Sequence, residues 1–292
     1  MNIFISCFLI TAVVQEGRLI SALVIIRRSL AVHYIQLKSG RCAYIRKGQG
    51  IPVLLLHGLG SSWQDWQPQI EALSRFAEVF ALDLRGHGAS EPLREPVSVA
   101  ELAEDVGEFI RFQAIQGCVL VGISMGGMVG FQLLAQQPEL VGRLVAINSA
   151  PSFPLDSWAL RGKVLLRLAL IRLLGLKTMG RLLARKLFPY AEQSELRRRT
   201  AMRIGENDPV SYLHAIRAIL GWTALPAVNG VDTPMLIVAG DRDYTPLAYK
   251  QAYVAALRNA ELQVVSNSGH ATPLDQPEQL NTLLERFIRA QQ

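Results

Sequence analysis

Short apolar runs recur along the chain, each ending at a turn residue. Residues 53–56 stop at His57-Gly58, 79–82 at Asp83 and 119–121 at Gly122, and 144–147, 235–238 and 262–265 repeat the pattern. Runs without polar alternation are what strands covered on both faces require. Between them the apolar spacing turns helical. After the capping pair Ser98 and Glu101, residues Val99, Leu102, Val106, Phe109 and Ile110 share one side of a helix predicted to reach about Ile115. Further helices are expected from Gly127 to about Gln137, over 247–257 and over 278–289. Near the start, 32–38 and 41–47 flank Ser39-Gly40, the turn chemistry of a hairpin. Strands alternating with helices predict an α/β fold, a mostly parallel twisted sheet with helices on both faces.

Residues 151–228 break the alternation. No buried-strand run occurs there, and helical spacing covers 160–176, 180–187 and 192–204, with Pro189 and Pro209 as expected breaks. The chain is therefore divided into a core made of 31–150 and 229–292, a helical insertion at 151–228, and an N-terminal extension at 1–30. The extension has apolar runs at 3–14 and 19–26, separated by a polar interruption at 15–18 and followed by Arg27 and Arg28. Neither run reaches the ~18–20 residues that span a bilayer, and no positive segment precedes them as in a secretory signal. Three readings stay open for it: a membrane-associating leader, a poor signal peptide, or an extension outside the folded domain.

Composition narrows the class. Of 292 residues, 50% are hydrophobic and 18% charged, which excludes a disordered chain. The net charge of +6 is unevenly held, because 151–228 carries 13 Lys and Arg against 5 Asp and Glu, a local +8 beside −2 for the rest. This insertion fits either an anionic substrate or an anionic membrane surface as partner, or simply a solvated outer side. No recognition motif accompanies the charge, so nucleic acid is not an expected partner. Three cysteines, Cys7, Cys42 and Cys118, lack metal-ligand spacing and point to a reducing, cytoplasmic setting, with peripheral membrane contact through the apolar N-terminus or the basic insertion as a further possibility.

The chemistry centres on Gly122-Ile123-Ser124-Met125-Gly126, set between a buried strand and a helix without a spare residue. A serine projecting from so sharp a turn needs glycines on both sides, where a Cβ would strike the neighbouring backbone. A serine hydroxyl is a weak nucleophile, so it needs a base and a group to orient that base. Of the five histidines, His33 lies in the hairpin, His57 and His87 in glycine-rich turns and His214 in the insertion, while His270 follows the last strand. The order serine, acid, histidine therefore favours His270 as the base, with Asp241 and Asp243 as acid candidates after residues 235–238. The oxyanion would take backbone N–H groups of Met125 and Leu59. Trp63, Trp66, Trp158 and Trp222 are candidates either for an apolar pocket or for packing.

The stretches HGLGSSWQDW from His57, DLRGHGAS from Asp83, VGISMGG from Val121, GDRDYTP from Gly240 and SGHATPLDQPE from Ser268 resemble the α/β-hydrolase superfamily, in family order and across residues 32–292. The likeness is to its capped members, which include esterases, enol-lactonases and carbon–carbon bond hydrolases. It implies the α/β-hydrolase fold with the insertion as a helical cap over the active site. Nucleophile, acid and base then map onto Ser124, Asp243 and His270, since the acid loop in that family commonly reads G-x-x-D. Asp241 is left to bind turn amides or Arg242, and Asp83 and His87 fall in a structural loop. The expected activity is cleavage of an ester, thioester or lactone on a small acyl substrate, anionic or lipid-like, without cofactor or metal. A carbon–carbon hydrolase, an acyltransferase and a non-catalytic ligand-binding member are the alternatives. A serine at the elbow argues against haloalkane dehalogenase or epoxide hydrolase chemistry, which uses aspartate there. Oligomeric state is left open.

Overall fold

A computed structural model describes the backbone of residues 11–15 and 18–22, residues 30–156 and residues 158–290. The first two segments belong to a unit of their own, Met1–Ala31, in which β1 (Thr11–Gln15) and β2 (Arg18–Ala22) pair antiparallel. The rest of the N-terminal extension, and the three readings of it, lie outside the described residues, as does Cys7.

The second unit, Val32–Gln292, is built on an eight-stranded sheet. Its strands are β3 (Val32–Leu37), β4 (Gly40–Lys47), β5 (Ile51–Leu56), β6 (Ala77–Leu82), β7 (Cys118–Ile123), β8 (Val141–Ile147), β9 (Met235–Gly240) and β10 (Ala260–Val265), in the spatial order β10-β9-β8-β7-β5-β6-β4-β3. Strands β5 to β10 run parallel, and β4 alone in this sheet runs against its neighbours, as the hairpin turn requires. The central strands are as apolar as their sequences predict: the Val53–Leu56 part of β5 and all of β9 are buried on both faces.

The helices are α1 (Gln67–Leu73), α2 (Val99–Phe112), α3 (Met125–Gln136), α4 (Trp158–Leu187), α5 (Ser194–Glu206), α6 (Pro209–Ile219), α7 (Leu247–Ala256), α8 (Thr272–Asp275) and α9 (Pro277–Arg289). In α2, Ser98 Oγ accepts from the Glu101 N–H while the Glu101 carboxylate accepts from the Ser98 N–H, so the predicted capping pair closes at both ends. The expected break at Pro209 falls between two helices: α5 ends at Glu206 and Pro209 opens α6, with the Asp208 carboxylate capping the Ser211 N–H at 2.8 Å, because proline lacks only a donor that a first turn cannot use. The span α4 is likewise two helices, as expected, but they meet at Gly175, whose φ of +73° leaves the helical region, a few residues earlier than the spacing predicts. Cys42 and Cys118 are free and buried, and burial pushes both thiols up to about 12.

The order of connections matters for the site. From β5 the chain crosses through α1 to β6 on one side, then through α2 to β7 on the other. The carboxyl ends of β5 and β7 therefore flank a reversal of strand order, where diverging connections leave a crevice.

Candidate active site

Ser124 stands at the β7-to-α3 turn with φ +51° and ψ −116°, a conformation L-residues rarely adopt. The turn is held from several directions: its N–H donates to the Ile147 carbonyl at 2.9 Å, and its carbonyl accepts from Ser149 Oγ at 2.7 Å. The glycines of the motif are a steric necessity. A Cβ on Gly122 would lie 2.4 Å from the Gly126 carbonyl carbon, and one on Gly126 would lie 2.2 Å from the Leu56 carbonyl oxygen.

His270 follows β10 and shares the wall of one cavity of about 260 Å³ with Ser124, Leu59, Trp66, Arg167, Lys186, Tyr212 and Tyr244. Its Nδ1 lies 2.8 Å from Asp243 Oδ1, where a ring N–H donates to the carboxylate. Among the described residues no hydrogen bond joins Ser124 Oγ to this ring. Both line the one cavity. Asp243 follows β9, and its side chain is fully buried. Burial alone would raise its pKa, but the hydrogen bond and charge of His270, with the Lys250 ammonium, hold it below the usual carboxylate range. Asp241 takes a different place: its carboxylate accepts from the N–H groups of Asn267 and Ser268, both at 3.0 Å, and so anchors the loop that carries His270.

The loop after β5 runs beside Ser124. A Cβ on Gly58 would come 3.5 Å from Ser124 Cβ, and Leu59 lines the cavity. Neither the Leu59 nor the Met125 N–H makes a hydrogen bond among the described residues, and the latter belongs to the first turn of α3, whose amides have no intrahelical acceptor. His57 and His87 lie outside this cavity wall. Fully buried, His57 donates from Nδ1 to the Gly58 carbonyl at 2.8 Å and accepts at Nε2 from the Leu84 N–H at 3.0 Å, which fixes its tautomer and braces the loop. Burial pushes its pKa down to about 3 and that of His87 to about 4.

Sequence reasoning did not find three residues. Asn148, at the end of β8, donates to the carbonyls of Gly269 and His270 and accepts from the Gly240 N–H at 2.8 Å, tying the acid loop to the histidine loop. Lys250, wholly buried on α7, places Nζ 2.5 Å from Asp243 Oδ2. The Tyr244 ring stacks on His270 with centroids 4.3 Å apart. An isolated lysine or asparagine has no local pattern to betray such contacts, although Tyr244 directly follows Asp243. Of the four tryptophans, Trp66 lines this cavity. Trp63 lies beside a separate pocket, Trp222 donates to Gln132 Oε1 at 2.7 Å, and Trp158 is exposed on α4.

Comparison with known proteins supplies the family. The model for the alpha/beta hydrolase family matches residues 53–283. A candidate carbamate hydrolase of Serratia proteamaculans is 30% identical over 244 residues, covering 80% of this chain and 89% of its own. The (E)-2-((N-methylformamido)methylene)succinate hydrolase of Acinetobacter baylyi is 26% identical over 269 residues, with 87% and 97% covered. The enol-lactonase structure from Burkholderia xenovorans LB400 shares the fold at a TM-score of 0.80 and 22% identity, covering 88% of this chain and 100% of that one. With the eight-stranded, mostly parallel sheet, the tight β7-to-α3 turn and a family model matched over most of its length, the chain belongs to the alpha/beta hydrolase family.

Proposed function

We propose that this protein is a serine hydrolase that cleaves an ester, thioester or lactone of a small acyl substrate through an acyl-enzyme. The observation that carries the reading is the 2.8 Å Asp243–His270 contact in the wall of the cavity that also holds Ser124 on its strained turn. In the first half-reaction Ser124 Oγ attacks the carbonyl carbon as its proton passes to His270 Nε2, and Asp243 holds the ring in that tautomer. The backbone N–H groups of Leu59 and Met125 stabilise the oxyanion. His270 then protonates the leaving group, and water repeats the steps to release the acid and free the serine.

We read residues 151–228 as a cap on this core, since α4, α5 and α6 contribute Arg167, Lys186, Arg203 and Tyr212 to the cavity wall. Charge in that wall refines the substrate. Arg203 pairs with Asp65, whereas Arg167 donates to the Tyr212 hydroxyl at 2.8 Å and Lys186 Nζ lies 4.8 Å over the Tyr244 ring. Among the described residues Arg167 and Lys186 have no carboxylate partner, and Arg167 Nε is buried without an acceptor. Such a wall favours a substrate with an anionic group beside its acyl carbonyl. The Acinetobacter relative, named as the hydrolase of a succinate derivative, supports an anionic substrate. A panel of p-nitrophenyl esters, thioesters and lactones tests the reading. Turnover that Ser124→Ala abolishes is expected, and a folded protein that turns over none of them contradicts it.

A further inference from the structure

A surface helix ordinarily turns its apolar side to the core and its polar side to water. The first half of α4 has apolar side chains on both. Ile171 is buried with Leu176, Met179, Ile204, Tyr212 and Ile216, which fastens the helix to its neighbours. On the outer side, Trp158 is 84% and Leu173 79% exposed, and Leu165 and Leu166 are more than half exposed. At ~100° per residue these four fall within an arc of about 100°, one continuous stripe. Monomeric proteins rarely leave such a stripe in water, because its burial on a partner is favourable.

The charge around the stripe says what the partner is. The segment Trp158–Leu187 contains eight Lys and Arg and not one Asp or Glu. Arg161 and Arg172 are exposed at the stripe's edge, and beyond the break at Gly175 the exposed side chains include the cations Lys177, Arg181 and Arg185 beside Leu182. The Arg161 guanidinium lies 5.1 Å over the Trp158 ring, an aromatic–cation pair suited to a zone where hydrocarbon meets headgroup.

We infer that the outer face of α4 is a docking surface for a bilayer rich in anionic phospholipid. Leucines and a tryptophan enter the headgroup–acyl boundary while the flanking arginines and lysines meet phosphate, the arrangement of an amphipathic helix lying in the interfacial plane. The helix lies on the bilayer and does not cross it: among the described residues no helix is long and apolar enough to span a membrane. A second copy of the chain fits less well, since pairing the face with itself sets like charges against each other. Nucleic acid would use the cations but leave the leucines in water. The inner side of the same stretch contributes Arg167, Leu183, Lys186 and Leu187 to the cavity wall, so docking holds the cavity about one helix diameter (~10–12 Å) from lipid.

Co-sedimentation of the full chain with phosphatidylglycerol and phosphatidylcholine vesicles tests this without reference to catalysis. Binding to the anionic vesicles, weakened by added salt and lower on phosphatidylcholine by on the order of tenfold, is expected. The exposed pair Leu165→Gln and Leu173→Gln should reduce it by on the order of tenfold with thermal unfolding unchanged, and Arg161→Gln with Arg172→Gln should flatten the salt dependence. Absence of binding to anionic vesicles overturns the inference. So does undiminished binding by folded Leu165→Gln/Leu173→Gln protein, which would assign the contact to another segment. A self-association abolished by that same variant would make a second copy the partner and equally overturn it.

Discussion

Lys250 Nζ lies 2.5 Å from Asp243 Oδ2, with neither side chain exposed to solvent. The ammonium also reaches the Thr245 carbonyl at 3.3 Å and Asn148 Oδ1 at 3.4 Å, so it sits in a pocket of acceptors. The carboxylate is thus held by the lysine on one oxygen and by the imidazole on the other. Lys250→Met leaves a buried carboxylate with half its partners. The expected loss of stability is ~3–5 kcal/mol, the usual cost of breaking a buried pair from one side, with part of it recovered in Lys250→Met/Asp243→Asn. Because Asp243 is depressed in the folded state, its contribution is present above the ordinary carboxylate range and is lost as pH falls through the folded value. In Lys250→Met the acid limb of kcat/KM should move upward. Denaturant unfolding and a pH–rate profile check both, and an unchanged acid limb would mean that the lysine is only structural.

The two acids after β9 have separable roles. Asp243→Asn should lower kcat by on the order of 10⁴, since the amide no longer selects the tautomer with a free Nε2. Asp241→Asn removes an anchor for the amides of Asn267 and Ser268, so its effect should be far smaller, with a loss of stability. Steady-state kinetics on one ester decides between them, and the larger kcat loss in Asp241→Asn would reverse the assignment.

Much of this could be read in the chain because local pattern and long-range order agree. The apolar runs mark the sheet, and the glycines around Ser124 mark a turn that would clash with any other residue. His270 is picked out by its order in the chain and its place after the last strand. What escaped depends on contacts between distant segments. Asn148, Lys250 and the stacking of Tyr244 on His270 become meaningful only when β8, β9 and the histidine loop meet, and none sits in a short motif. Helix α1 escaped as well, because its seven residues, QPQIEAL, are too few to show a helical period. Beyond the break expected at Pro209 the chain continues as α6, a helix the spacing did not pick out and whose start is marked by Asp208 as its cap.

Acidification should destabilise the core through its histidines. Burial holds His57 at about 3 and His87 at about 4, so the unfolded chain takes up both protons first. Their neutral forms contribute stability that is complete above the ordinary histidine value and lost as pH falls through the folded values. Asp83 opposes this, being raised to about 6 by burial, so that its share is lost as pH rises from about 4 to about 6. Two displaced imidazoles outweigh one carboxylate. The free energy of unfolding is expected to fall between about pH 7 and about pH 4, and His87→Asn, which keeps a donor near Nδ1 without a titrating ring, should shrink the fall by an amount on the order of a few kcal/mol. Calorimetry at the two pH values checks this, and an equal drop in the variant would refute the role of His87.

Arg167 and Lys186, without a carboxylate partner among the described residues, predict a preference between matched substrates. p-Nitrophenyl monosuccinate should be hydrolysed with a higher kcat/KM than the butyrate ester. Arg167→Gln should erase on the order of tenfold of that preference, chiefly for the charged substrate. If the ratio stays the same in the variant, the anion is bound elsewhere.

Active-site labelling with a fluorophosphonate tests the nucleophile itself. The reagent phosphonylates only an activated hydroxyl, so mass spectrometry of the digested adduct should place the added mass on Ser124. His270→Gln should slow the reaction by several orders of magnitude. Label on another residue, or a folded protein that resists the reagent with Ser124 intact, would contradict the account.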